Sequence, residues 1–419
     1  MPALVVDPKK PRWSELTCHR RRLLHEAEAL LDFFERGALD PAFGFHELDD
    51  RGRPRLAADG SPLPRPLHHS TRMVHCFAIA HLMGRPGSAA FVDHGLAFLW
   101  NHHRDATHGG YFWGVTPGGP SDPSKLAYGH AFVLLAGASA KVAGHPDADR
   151  LIADVSEIIE KRFWEEGPGA SAEEFTADWR SFDTYRGQNS NMHLTEALMA
   201  AYEATGDSLY LLRAERIATM IVDRHARAEK WRLAEHFTAD WRIDRDYSGS
   251  PMFRPYGTTP GHSLEWARLL VQLWQTGGRR HAWMPEAAVA LFRRAFEDGW
   301  DAAEGGFYYS LDWDGRPRIR DRYWWPCCEA IGAAAFLATI DDDPWFEDCY
   351  RRVWDFAVAH LIDRENGGWF PQLDDRLVPN SDPFFGKPDV YHALQACLIP
   401  LLPKTGSITR GLIEAGRSL

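Results

Sequence analysis

The sequence predicts an all-α fold, an (α/α)6 barrel of six helical hairpins with short β-hairpins on one rim. Three observations predict it. Two kinds of helical segment alternate along the chain, a sequence unit recurs at a fixed offset, and costly polar residues recur at one phase of that repeat.

Apolar residues at helical spacing mark twelve segments. Six are amphipathic: 23–36, 88–102, 147–163, 208–225, 286–300 and 345–361. Six are more apolar and rich in small residues: 70–83, 125–142, 191–205, 262–275, 326–339 and 390–402. The two sets alternate strictly, as an outer, half-exposed ring and an inner, buried ring require. Gly109-Gly110-Tyr111-Phe112, Gly305-Gly306-Phe307-Tyr308 and Gly367-Gly368-Trp369-Phe370 each follow an amphipathic segment, and their aromatic alternation predicts short rim strands. Phe175–Arg180 recurs as Phe237–Arg242, an offset of 237 − 175 = 62, and two of the Gly-Gly pairs are also 367 − 305 = 62 apart. That period fits a helical hairpin with a long loop. No linker or low-complexity tract interrupts it, so one catalytic domain is expected over 1–419, with the barrel at about 15–403 and a short tail after Pro403.

Composition narrows the partners. The formal net charge is −11 with no long basic run, which argues against nucleic acid, whose binding needs clustered Lys and Arg. Met1–Lys10 lacks the apolar core of a signal peptide, and the apolar stretches at 131–140 and 331–340 are too short to span a bilayer. The six cysteines show neither a disulfide framework nor a C-x-x-C metal site, so a reducing cytoplasm is expected. The 17 Trp and 23 Phe suit a large core, and aromatic faces also suit the C–H faces of sugars.

The starts of the more apolar helices gather the chemistry. They carry Arg72, then Tyr128 and His130, then Asn189, His193 and Glu196, then His262 and Glu265, then Trp325 and Glu329, and last His392. From Arg72 through His130, His193, His262 and Glu329 to His392 the spacings are 58, 63, 69, 67 and 63. Singly, each reads as a cap or a satisfied core group. Six at one phase converge on one mouth, because the inner helices of a ring point the same way.

His193 with Glu196 and His262 with Glu265 share His-x-x-Glu spacing, which puts both side chains on one helix face. Two readings follow: a carboxylate orienting an imidazole for acid/base work, or a metal held between helices. The first is favoured, since carboxylate-bridged bundles use Glu-x-x-His with further bridging Glu. Thr259-Pro260-Gly261 sets a turn that puts His262 at a helix N-terminus, where the dipole opposes positive charge and Glu265 favours it. His68-His69 and His102-His103 read as loop or helix-end histidines without a role.

Ser70-Thr71-Arg72-Met73, Gly84-Arg85-Pro86-Gly87, Val92-Asp93-His94-Gly95, Asn189-Ser190-Asn191-Met192-His193, Glu235-His236-Phe237, Thr259–Trp266, Trp325-Pro326 with Glu329, and Lys387–His392 occur in that order. From about Trp13 to Pro403 the chain thereby resembles the N-acylglucosamine 2-epimerase superfamily, and more narrowly its aldose–ketose isomerase branch. The resemblance implies a metal-free (α/α)6 barrel without a cofactor, with His262 and His392 catalytic. It further implies that Arg72, Tyr128, Asn189, His193, Glu265, Trp325 and Glu329 line a monosaccharide pocket. The sulfosugar branch carries Arg where Met252 stands and Gln where Pro388 stands. Both changes remove donors for a sulfonate, so a neutral aldose is expected, mannose first.

Isomerising mannose to fructose removes the C2 proton and returns one to C1 through an enediolate. The expected roles are ring opening and oxygen-proton transfer for His262, held by Glu265, and carbon-proton transfer for His392. Arg72 would stabilise the enediolate, Tyr128, Asn189 and His193 would hold hydroxyls, and Trp325 would form an apolar wall. The alternatives are 2-epimerisation, sulfosugar isomerisation, glycoside hydrolysis with Glu265 and Glu329 as the acid pair, and a non-catalytic protein-binding role. The sequence leaves oligomeric state open.

Overall fold

Inner and outer helices follow from how much apolar surface each segment carries. In the computed structural model, residues 11–416 are described except Asp183, Ser248, Pro251, Asp382, Pro383 and Asp389. Expectations resting on Met1–Lys10, and on Asp389 within its motif, lie outside the described residues. The helices are α1 (Thr17–Glu35), α2 (Leu67–Leu82), α3 (Ser88–Phe98), α4 (Ala127–Val142), α5 (Ala148–Ile158), α6 (Gln188–Thr205) and α7 (Ser208–Ala218). They continue with α8 (Pro260–Thr276), α9 (Trp283–Gly299), α10 (Trp324–Leu337), α11 (Trp345–Phe356), α12 (Tyr391–Leu398) and α13 (Ile408–Gly416). All twelve expected segments are helical.

The even-numbered helices are buried nearly all round, whereas odd-numbered ones such as α5 bury a single stripe, Ala148, Leu151, Ile152 and Val155. That is the division the two compositions demand. The even helices touch in sequence, α2 on α4, α4 on α6, α6 on α8, α8 on α10 and α10 on α12, and α12 touches α2. Each packs chiefly on one odd helix, and α1 packs on α12 rather than on its chain neighbour.

Four outer helices end in something the periodicity does not reveal. Leu99–His103, Ile159–Phe163, Thr219–Ala226 and Ala357–Leu361 are π-helical turns continuing α3, α5, α7 and α11. Each wider turn keeps the apolar phase roughly in place, so sequence spacing alone extends the α-helix. After α3, α9 and α11 the chain reverses through the Gly-Gly pairs, whose φ values are all positive, from 70° to 90°. A Cβ on Gly110 would stand 2.7 Å from the Trp179 ring, so both conformation and space call for glycine there.

The rim strands are short and join neighbouring hairpins. Arg65–Pro66, just before α2, pairs antiparallel with Gly114–Thr116, and Lys125–Leu126, before α4, pairs with Glu174–Phe175. Arg186–Gly187, before α6, pairs with His236–Phe237, and Arg322–Tyr323, before α10, pairs with Gln372–Leu373. The same rim carries a repeated ion pair: Asp40–Arg65 at 2.9 Å, Asp105–Lys125 at 2.9 Å, Glu165–Arg186 at 2.6 Å, Asp301–Arg322 at 2.6 Å and Asp363–Lys387 at 3.1 Å. Among the described residues the connection into α8 has no such pair. Removing one partner of a buried pair costs about 3–5 kcal/mol, so the three most buried of these clamps, Asp105–Lys125, Asp301–Arg322 and Asp363–Lys387, hold most firmly the ends from which their helices start.

Several histidines are buried and neutral. Burial lowers His75, His103 and His193 to about 4 and His130 to about 3. Below the ordinary value of 6.5 the unfolded chain binds protons at these sites and the folded chain does not. Their stabilising contribution is therefore present above pH 6.5 and is lost as pH falls towards 4. Thermal melts should show Tm falling steeply across that window, and a flat Tm there would contradict the assignment.

Candidate active site

The polar residues at the starts of the even helices share the rim described above. Arg72 lies in the second turn of α2, Tyr128 in the first turn of α4, and Asn189 and His193 in the first two turns of α6. His262 is the third residue of α8, Trp325 and Glu329 open α10, and His392 is the second residue of α12.

Two imidazoles dominate the arrangement. Nδ1 of His392 donates to Oε1 of Glu329 at 2.8 Å, and Nδ1 of His262 donates to Glu235, at 2.8 Å to Oε2 and 3.0 Å to Oε1. A carboxylate at Nδ1 fixes the proton there and leaves Nε2 as the working nitrogen. Neither Nε2 hydrogen-bonds to the described residues, although the histidines are only 7% and 5% exposed. Trp325 stands between the rings, its centroid 5.0 Å from His262 and 5.9 Å from His392, tilted by 33° and 38°.

The partner of His262 differs from the expected one. Glu265 shares its helix face but lies one turn deeper, 3.6 Å from Nδ1 of His193 and 3.4 Å from Arg268. Glu235, in the loop before His236–Phe237, reaches the first turn of α8 from outside. It also accepts from the Thr259 N–H at 3.1 Å and from Gln188 at 2.8 Å, and Gln188 in turn accepts from Trp266. Burial pushes the Glu235 carboxyl up, but His262, His236 and Gln188 outweigh it and hold Glu235 below the ordinary range.

Opposite, Arg72 donates to the Tyr128 hydroxyl at 2.8 Å and lies over the rings of Phe132 and Tyr391 at 4.5 and 4.8 Å. Those electron-rich faces hold the guanidinium in place away from bulk water. His193 packs edge-on to Tyr128 at 5.1 Å, and its Nδ1 is 3.9 Å from Glu196, beyond hydrogen-bond reach. Glu196 accepts from the Tyr391 hydroxyl and from Arg268. Asn189 Oδ1 and Glu265 Oε2 are buried without a hydrogen bond to the described residues, which marks them as groups a ligand could satisfy.

His130 shares the repeat phase but leaves the mouth. Its Nδ1 donates to the Leu126 carbonyl at 2.7 Å and its Nε2 accepts from the Tyr111 N–H at 3.1 Å, so both nitrogens are used structurally. His69 and His103 are likewise held by backbone carbonyls, whereas the ring of His68 stacks on Trp113 beside Tyr128.

Among the described residues two groupings have the compactness of a metal site: His193, Glu196 and Glu265, and Glu265, Glu329 and His392. A guanidinium already lies among their carboxylates. Arg268 is 2.9 Å from Glu329, 3.3 Å from Glu196 and 3.4 Å from Glu265, so a fixed cation meets the charge a metal would otherwise balance. The arrangement as a whole offers two oriented bases, an aromatic wall and a buried cation, the parts needed for proton transfer next to a developing oxyanion.

The model of the family described as N-acylglucosamine 2-epimerase (GlcNAc 2-epimerase) matches residues 44–396. The chain belongs to the N-acylglucosamine 2-epimerase family. Its relatives within or near that family include a D-mannose isomerase of Thermobifida fusca, 44% identical over 414 residues, covering 96% of this chain and 99% of the relative. A D-mannose isomerase of Pseudomonas cannabina pv. alisalensis is 42% identical over 411 residues, covering 96% and 97%. Among solved structures, a D-mannose isomerase superposes with a TM-score of 0.86 at 32% identity, covering 94% of this chain and 99% of that one. The helical architecture above is thus that of known N-acylglucosamine 2-epimerase family enzymes, and the family makes the chain an isomerase.

Sequence reasoning on this family member missed Glu235 and Arg268. A signal existed for each. Glu235 stands 235 − 173 = 62 residues after Glu173, the same offset as the duplicated unit. Glu173 accepts from Ser190, the third residue of α6, just as Glu235 accepts from His262, the third residue of α8. Arg268 continues the spacing of three from Glu265, one turn deeper on the same face of α8.

Proposed function

We propose that this chain is a metal-independent aldose–ketose isomerase that interconverts D-mannose and D-fructose through an enediolate. The observation that carries the reading is the pair of imidazoles, each held at Nδ1 by its own carboxylate and flanking one indole. The mannose isomerases among its relatives, similar over nearly the whole chain, supply the substrate.

In this reading the even helices close as the inner ring of an (α/α)6 barrel and the whole chain is one domain. Its support is the packing of α12 back on α2. Nε2 of His392 takes the C2 proton and the conjugate acid returns a proton to C1. Nε2 of His262 moves protons between O5, O1 and O2 during ring opening and enolisation. Arg72 stabilises the oxyanion, Trp325 stacks on the apolar face of the sugar, and Asn189, Glu265, Tyr128, His193 and Glu329 complete the pocket. The six cysteines, five of them buried, form no disulfide among the described residues, which supports a reducing cytoplasm.

The test is to incubate the protein with mannose in deuterated water and follow products by NMR, with and without EDTA. Fructose carrying deuterium at C1, formed at the same rate with EDTA, is the expected result. Glucose deuterated at C2 would make the enzyme an epimerase, and loss of activity with EDTA would end the metal-free mechanism. The absence of both fructose and deuterium exchange into the sugar would end the enolisation reading.

A further inference from the structure

We propose that Arg268 is a positioning residue that sets the ionisation pattern behind the working imidazoles, through one guanidinium shared by Glu329, Glu196 and Glu265. The inference rests on the isomerase reading above. Arg268 is 1% exposed. Its Nε donates to Glu329 Oε2 at 2.9 Å, Nη1 to Glu196 Oε1 at 3.3 Å and to Gln272 Oε1 at 3.0 Å, and Nη2 to Glu265 Oε1 at 3.4 Å. Space is reserved for it: a Cβ on Gly332 of α10 would approach the Arg268 Cδ to 3.2 Å.

Three buried carboxylates cannot all ionise around a single cation. Groups on every packed element bear on the outcome: Arg72 and His75 on α2, His193 and Glu196 on α6, Glu265 on α8, Glu329 on α10, and Tyr391 and His392 on α12. Burial pushes all three carboxyls up. For Glu196 and Glu329 the guanidinium, with His193 and Tyr391 or with His392, prevails and holds them below the ordinary range. For Glu265 burial and the neighbouring Glu329 prevail, and it is held well above that range. The result is an ionised Glu329 that accepts from His392, an ionised Glu196 that accepts from Tyr391, and a neutral Glu265 whose Oε2 is left for a ligand.

Without the guanidinium, Glu329 would protonate at higher pH and cease to orient His392. Arg268→Met should therefore lower kcat by about 10-fold or more, the scale of a mispositioned acid/base group, with KM nearly unchanged. The acid limb of kcat/KM should move up by at least about one pH unit, because Glu329 must now lose its proton unaided. Arg268→Lys keeps the charge but not the planar fork, so it should recover part of kcat and part of the limb. A readout free of turnover is the NMR resonance of the His392 Nδ1 proton, expected downfield in the unmodified protein and shifted upfield or lost in Arg268→Met.

A folded Arg268→Met with the original pH profile and His392 resonance overturns the proposal. Should that variant fail to fold, Arg268→Lys carries the test, an unmoved acid limb and resonance overturning it and a moved limb supporting it. If the resonance responds as expected but the unmodified protein leaves mannose unchanged, the isomerase reading fails and the positioning role of Arg268 stands.

Discussion

His392→Ala and His262→Ala are each expected to lower kcat/KM on mannose by about 10²–10⁴-fold, the usual contribution of a positioned acid/base group. Each imidazole has one nitrogen committed to a carboxylate and the other turned to the space beside Trp325, so alanine removes the group rather than weakening it. The losses should not add, because ring opening and carbon-proton transfer lie on one path and a broken step hides the next. The double variant should therefore fall little below the slower single one. Circular dichroism should remain that of the folded helical protein, whereas melting curves should shift to lower temperature, since each alanine leaves Glu235 or Glu329 buried without its imidazole. Near-normal turnover by either single variant would end the two-imidazole mechanism.

Glu235→Gln is the second large effect. An amide at this place can present its NH2 to Nδ1 of His262, which drives the ring proton to Nε2 and removes the free lone pair. Loss of the orienting carboxylate with the geometry intact costs on the order of 10⁴-fold in the serine protease triad, and a loss of roughly 10²–10⁴-fold in kcat is expected here. The comparison variant is Glu173→Gln, at the equivalent place in the repeat, where the acceptor serves the Ser190 hydroxyl. It should leave turnover unchanged. Equal losses from both variants would mean that Glu235 acts only by holding the rim together.

The helices were legible because their signal is long and periodic, and inner could be told from outer because burial on all sides excludes charge from most positions. The same argument put Arg72, His130, His193, His262, Glu329 and His392 at one mouth, since parallel helices carry equal phases to equal heights. It could not say which carboxylate meets which imidazole. Helical spacing relates residues on one helix, so His262 was matched with Glu265, whereas the true partner comes from a loop 262 − 235 = 27 residues earlier. His130 shows the opposite limit, for phase alone cannot tell a side chain aimed at the mouth from one turned back to its own rim loop. The π-helical turns escaped because one extra residue at a helix end barely alters an apolar pattern.

The duplicated brace has a consequence for how such a site could arise and be remade. At the third residue of α6 a loop carboxylate holds a hydroxyl, and at the third residue of α8 its counterpart holds an imidazole. The acceptor is thus a socket that the scaffold provides more than once, indifferent to its occupant. Changing the occupant turns a strut into a base without inventing a partner for it. New chemistry on this framework would begin with single exchanges at sockets already wired, and only afterwards with reshaping of the sugar's wall.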